Sequence, residues 1–269
     1  METASSPRVL IVEDEPDMNG LLADVLSAYG FTPVQAADAE EALRLLAGGQ
    51  PDAILLDLML PGMSGLELCR QLKTSRATRP IPIIILTALD RQVDRRRGFE
   101  TGADDYVTKP FTPESLVSRL RADIDRCREI RDSCGQLEIA MEMTASLGDL
   151  KAANTLATCL YCRTDLATEQ IEALRAGLVR LSETAGQWAL RRRGLAPVRL
   201  TVDVGDQRMC LKFRAAGEGG NAFLAQHLDA ESAVPAAMTD AGMIDSITPA
   251  DGEVVLEKLL PLLPEQTST

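Results

Sequence analysis

Residues 55–65 read LLDLMLPGMSG and residues 105–111 read DYVTKPF. In each, a short apolar run ends on a charged side chain, Asp57 or Lys109, and then breaks at Pro. Working outward, Arg8–Val12 is apolar and β-branched and stops at Glu13-Asp14-Glu15, while Ile81–Leu86 stops at Thr87. Thr32–Gln35 and Ala53–Leu56 read as further short strands, and Asp104–Val107 as a fifth. Met18–Tyr29 and Ala39–Ala47 are helix-like and end at Gly30 and Gly48-Gly49; Pro113–Ile130 is a longer helix. Continuous apolar strands in alternation with helices predict a doubly wound parallel sheet, α/β in class, with both faces covered.

In an open sheet of this kind, ligands sit outside the carboxyl ends of the strands. The chain places Glu13, Asp14, Asp57, Thr87 and Lys109 there. Carboxylates crowded into one cleft repel each other and favour a hard divalent cation, Mg²⁺ first among them. A lysine and a hydroxyl opposite a carboxylate complete a pocket for a transferred phosphoryl group. Any one of these residues is ordinary at a strand end; the ordered set is not.

At these residues the chain resembles the receiver domain of two-component response regulators, over residues 7–128. The resemblance implies a (βα)5 fold in which Asp57 is the phospho-acceptor. It implies Mg²⁺ held by Asp14 and Asp57, by Glu13 through water, and by the backbone carbonyl of Met59. Thr87 and Lys109 would grip the phosphoryl group, and Tyr106 would be the aromatic that follows Thr87. The Lys109-Pro110 bond would be cis. The implied donor is a histidine kinase or phosphotransfer protein, as in a phosphorelay.

Leu116, Leu120, Ile124, Cys127, Ile130 and Cys134 recur at spacings of three or four. This stripe predicts a helix and linker over 113–135 that outruns the first domain and packs on another helix, in the same chain or in a homodimer. The remainder, 136–264, reads strand, helix, helix, hairpin, helix, hairpin. Its helices are Leu147–Cys162 and Thr168–Arg193, and its hairpins turn near Gly205-Asp206 and Asp251-Gly252.

That order resembles the histidine-kinase-type ATPase fold, specifically its anti-sigma serine-kinase branch, and implies an α/β sandwich. The motifs are incomplete. LSETAGQWAL keeps Glu183 but has Gln187 at the metal-binding Asn position. FRAAGEGG keeps Gly217 and Gly219 but has Ala215 where an Asp would bind adenine, and a second glycine loop near Ala233-Val234-Pro235 has no glycine. Losing a charged acceptor costs about 1.5–3 kcal/mol, and side chains keep phosphates at a distance. The expectation is a pseudo-ATPase output that binds no ATP, is no enzyme, and acts by binding a protein, for instance a sigma-factor regulator. The alternative is a receiver-controlled serine kinase with a working ATP site.

Composition narrows the classes. Hydrophobic residues make up 45% of the 269 residues, enough for two cores. Net charge is −12, spread evenly to either side of Gly135. From that charge, nucleic acid is not expected as a partner. The apolar runs are too short to span a bilayer, so no membrane is expected, and with no visible leader and no disulfide framework among the six cysteines a cytoplasmic location is expected. Cys159-x-x-Cys162 lacks a second ligand pair and reads as core. The only histidine, His227, reads as a surface or capping residue.

Overall fold

The computed structural model describes residues 6–87, 98–132, 137–191, 198–205, 208–214, 218–228, 232–250 and 253–260. The chain divides between Glu129 and Ile130 into two units.

The first unit contains β1 (Arg8–Val12), α1 (Pro16–Ala28), β2 (Thr32–Ala36), α2 (Ala39–Ala47), β3 (Ala53–Asp57), α3 (Gly65–Lys73), β4 (Ile83–Thr87) and β5 (Asp105–Thr108). α4 (Pro113–Asp132), as far as Glu129, completes it. The strands pair in parallel in the order β2-β1-β3-β4-β5. Every residue of β3 and β4 is buried, which is why those strands read as unbroken apolar runs. Sequence order reverses on either side of β1, so the crevice between β1 and β3 is a topological switch point. Local chemistry sets the helix starts. Asp38 accepts from the Glu41 amide at 2.8 Å, and Ser64 and Glu67 form a reciprocal capping box at the start of α3.

Beneath β4 and β5 lies a buried ion pair. Lys73 Nζ meets Asp104 Oδ2 at 2.6 Å and donates to the Arg79 and Ile81 carbonyls at 3.0 and 2.7 Å. Asp104 Oδ2 also accepts from the Ile83 amide at 2.9 Å. All three ammonium protons therefore have acceptors, which a charge this deeply buried requires.

The second unit holds β6 (Leu137–Met143), α5 (Leu147–Arg163), α6 (Thr168–Arg191), β7 (Val198–Val204), β8 (Arg208–Arg214), α7 (Glu218–His227), α8 (Ala233–Asp240), β9 (Ser246–Ala250) and β10 (Glu253–Leu259). Its sheet is antiparallel, in the order β6-β7-β8-β10-β9. Val198, Leu200, Val202 and Val204 alternate with polar residues and are buried against the helices with Met209, Leu211 and Phe213. The other face carries cross-strand ion pairs: Arg199–Glu142 at 2.7 Å, Lys212–Asp203 at 2.6 Å and Arg214–Glu253 at 2.8 Å. The turn from β6 into α5 is pinned by buried Asp149, which accepts from the Thr144 and Ser146 amides and, at 2.5 Å, from Ser182 Oγ.

The apolar stripe on α4 is divided between cores. Leu116, Leu120 and Ile124 belong to the first. Ile130 belongs to the core of the second unit, where its carbonyl accepts from Arg163 Nε at 3.2 Å. Cys127 is half-buried, and burial pushes its thiol up to about 12; Cys134 lies outside the described residues. The order strand, helix, helix, hairpin, helix, hairpin gains one element, since Ala233-Val234-Pro235 opens α8 where a loop was expected. Proline is tolerated there because the first helical turn has no internal acceptor for its amide. The assignment to the ATPase type is not carried by an antiparallel sheet covered by helices, an arrangement common to many folds.

The Lys73–Asp104 pair is testable. Replacing Asp104 by Ala strands a buried ammonium, and unfolding of the first unit in urea should become easier by about 3–5 kcal/mol. Burial raises the Asp104 carboxyl, but the charge and hydrogen bond of Lys73 and the Ile83 amide hold it below its ordinary 3.8. Its stabilisation is therefore present above that pH and is lost as pH falls through the lowered value. In Asp104→Asn, this part of the acid dependence should disappear.

Candidate functional site: an acidic cleft at the carboxyl end of the parallel sheet

Four of the five strands of the first sheet hand residues to the cleft. β1 is followed by Glu13 and Asp14, β3 ends on Asp57, β4 ends on Thr87, and β5 is followed by Lys109. Glu13, Asp14 and Asp57 offer carboxylate oxygens that all lie within 4.8 Å of one another. Glu13 and Asp57 are buried, and Asp14 is exposed. Lys109 Nζ reaches Glu13 Oε2 at 2.7 Å and Asp57 Oδ2 at 3.2 Å. The other Asp57 oxygen, Oδ1, accepts from the Leu58 amide at 2.7 Å.

Burial pushes the Glu13 carboxyl above its usual range, and the charge of Asp57 adds to the rise against the hydrogen bond from Lys109. Burial would lower Lys109, but its hydrogen bond to Glu13 and the charges of Asp57 and Glu13 prevail and raise it. Lys109 is therefore a fixed cation at neutral pH. Three carboxylates facing one cation leave excess negative charge and a set of oxygen donors, the chemistry that suits a hard divalent ion.

The remaining expected residues fall as follows. Thr87 is fully buried, and its carbonyl accepts from the Lys109 amide at 2.7 Å, tying β4 to the turn after β5. The Lys109-Pro110 bond is cis. Tyr106 is buried, its ring close to Gly98. The Met59 side chain is exposed. In the second unit, Glu183 and Gln187 lie on α6, half-buried and exposed respectively. Gly219 lies within α7 rather than in a loop; Ala215 and Gly217 fall outside the described residues. His227 ends α7 with its ring 5.6 Å from Trp188 and 4.8 Å from Phe223, centroid to centroid.

Two contributors escaped the sequence reading. Asn19 is buried on α1, and its Nδ2 donates to the carbonyls of Glu13 at 2.8 Å and Ala36 at 3.0 Å, fixing the loop that carries the acids. The signal was an amide three residues before Leu22 on the buried face of the helix. Gly65 is the other. A Cβ there would overlap the Asp57 carbonyl oxygen and lie 2.8 Å from Leu58 Cα, so the start of α3 can approach β3 only without a side chain.

Residues 9–121 match the family model described as the response regulator receiver domain. The N-terminal unit is a response regulator receiver domain. It is the signal-accepting module of two-component signalling, on the five-stranded parallel sheet described above. The phosphate regulon transcriptional regulatory protein PhoB of Escherichia coli K12 is 49% identical over 119 residues, covering 44% of this chain and 52% of that protein. The DNA-binding response regulator MtrA of Mycolicibacterium smegmatis is 46% identical over 119 residues, 44% of this chain and 51% of its own. The chain thus spans about half the length of the curated relatives it matches. Among solved structures, the Francisella response regulator 1452 receiver domain is 31% identical, with a TM-score of 0.43 over 45% of this chain and 98% of its own.

These relatives overturn the expectation that excluded nucleic acid as a partner. MtrA is a DNA-binding response regulator, and RpaA of Synechocystis, 40% identical over 133 residues, is a DNA-binding transcriptional regulator. The inference from charge failed because a net charge of −12 averages over the whole surface, whereas binding to a phosphate backbone depends on local potential. Among the described residues no helix is long and apolar enough to cross a membrane.

The approach of α3 to β3 gives a direct test. Gly65→Ala should force the two apart, cost about 1–3 kcal/mol in urea unfolding, and shift the amide resonance of Leu58, whose N–H binds Asp57.

Proposed function

We propose that Asp57 is the phospho-acceptor of this receiver and that its phosphorylation governs the second unit. The observation that carries this reading is the convergence of Asp57 with Glu13, Asp14 and Lys109 at one sheet edge. The donor is a histidine kinase or phosphotransfer protein. An Asp57 carboxylate oxygen attacks the phosphorus of a phosphohistidine, the P–N bond breaks, and its electron pair returns to the imidazole. An acyl phosphate remains on the chain.

Asp14 and Asp57, Glu13 through water, and the Met59 carbonyl would hold Mg²⁺, which supplies charge neutralisation for the transferred group. Lys109 needs no long movement to serve the new phosphoryl oxygens, because its ammonium already sits on Asp57. Thr87 offers a hydroxyl from the neighbouring strand end, and Tyr106, on β5, follows it.

For the second unit, the proposal is a degenerate ATPase-like domain without kinase activity. Several features support it. Gln187 is one methylene longer than the Asn of the working motif. The stretch expected as a second loop is helical, and Met238 of α8 packs into the space left by Gly177 on α6. Trp188, Phe223 and His227 meet edge-on or tilted between α6 and α7, with Trp188 next in sequence to Gln187.

With a small phosphodonor and Mg²⁺, the full chain should become labelled and Asp57→Ala should not. Asp14→Ala should label at least tenfold more slowly through weakened metal binding, about 1.4 kcal/mol or more. Equal labelling of Asp57→Ala would remove the reading. Calorimetry of the full chain with ATP and Mg²⁺ should show no binding tighter than about 50 µM; tighter binding would restore the serine-kinase alternative.

A further inference from the structure

The two edges of the antiparallel sheet are unlike. β9 is five residues long and carries Pro249, which cannot donate to an added strand. β6, at the other edge, is seven residues long, LEIAMEM, without Pro, Gly or Lys. An edge strand of this length presents unpaired backbone donors and acceptors to any extended chain of matching register.

Its side chains say what would match. On the open face β6 carries Glu138, Ala140 and Glu142, and Glu138 and Ala140 are exposed. Across the sheet Glu142 stands opposite Arg199, with which it pairs, but Glu138 stands opposite Asp203, a like charge. Asp203 is neutralised by Lys212. Among the described residues Glu138 has no cation of its own. It lines a concavity of about 390 Å³ on this face, with Thr201, Arg199 and the paired Asp203–Lys212 and Glu253–Arg214. On the helix side, Met141 and Met143 are buried and Ile139 is only partly covered.

We infer that the β6 edge is a strand-addition site for an extended peptide segment in which basic and apolar residues alternate. The basic residues face Glu138, where like charge across the sheet leaves a cation favoured, and next to it Glu142, which is opposite its exposed partner Arg199. The apolar residues continue the row begun by Ile139 and Met141, and main-chain hydrogen bonds supply the rest of the affinity. A second copy of β6 is a poor occupant. Antiparallel pairing about Ala140 sets Glu138 of one strand against Glu142 of the other, and parallel in-register pairing stacks identical carboxylates.

Two short synthetic peptides test this on the full chain, one alternating lysine with valine and one alternating glutamate with valine. Amide hydrogen exchange over 137–143 should slow about fivefold or more with the lysine peptide, as expected when edge amides gain partners, and should not change with the glutamate peptide. In Glu138→Lys the preference should weaken or reverse while the protein melts as wild type. Equal protection by both peptides, protection of residues 246–250 instead, self-association through β6, or no change at millimolar lysine peptide would each overturn the inference.

Discussion

The ammonium of Lys109 is the contact on which the geometry of the acidic cleft depends. It lies within hydrogen-bonding reach of both Glu13 and Asp57, two buried carboxylates from different strands. Two desolvated carboxylates this close repel one another, and the ammonium between them offsets that repulsion.

Much of the first unit serves to hold that contact in register. Asn19 grips the carbonyl of Glu13, the capped start of α3 lies directly on the Asp57 carbonyl, and the Lys109 amide is tied to Thr87. At the opposite end of β4 and β5, Lys73 and Asp104 fix where the two strands begin. Buried ion pairs add little net stability compared with apolar packing, but they tolerate few alternative arrangements. Here the pair joins the starts of the two strands that lead to Thr87 and Lys109.

The receiver was legible because its strands are continuous apolar runs that each stop on a polar residue. β1 and α2 have the bounds read from the sequence, and β4 differs by losing Ile81 and Pro82 and taking in Thr87. Less legible was what depends on a partner far along the chain. Periodicity marked Ile130 as buried but could not say by what, and its neighbours prove to be those of the second core. Asn19 looked like an ordinary helix residue because its partners, the Glu13 and Ala36 carbonyls, are backbone atoms. α8 was read as a loop because the comparison with a glycine-rich motif outweighed the residues present, among which Pro235 is compatible with a first helical turn. Partner class was the weakest inference. Net charge describes solubility and long-range potential, and the relatives include DNA-binding regulators despite what it suggested here.

Phosphorus NMR of the full chain treated with a small phosphodonor and Mg²⁺ tests the central claim most directly, since it identifies the bond formed. The account predicts an acyl-phosphate resonance that is lost on addition of hydroxylamine and is absent from Asp57→Ala. A phosphoramidate resonance, which only His227 among the side chains of this sequence could give by way of an imidazole, or no protein-bound phosphorus at all, would contradict it.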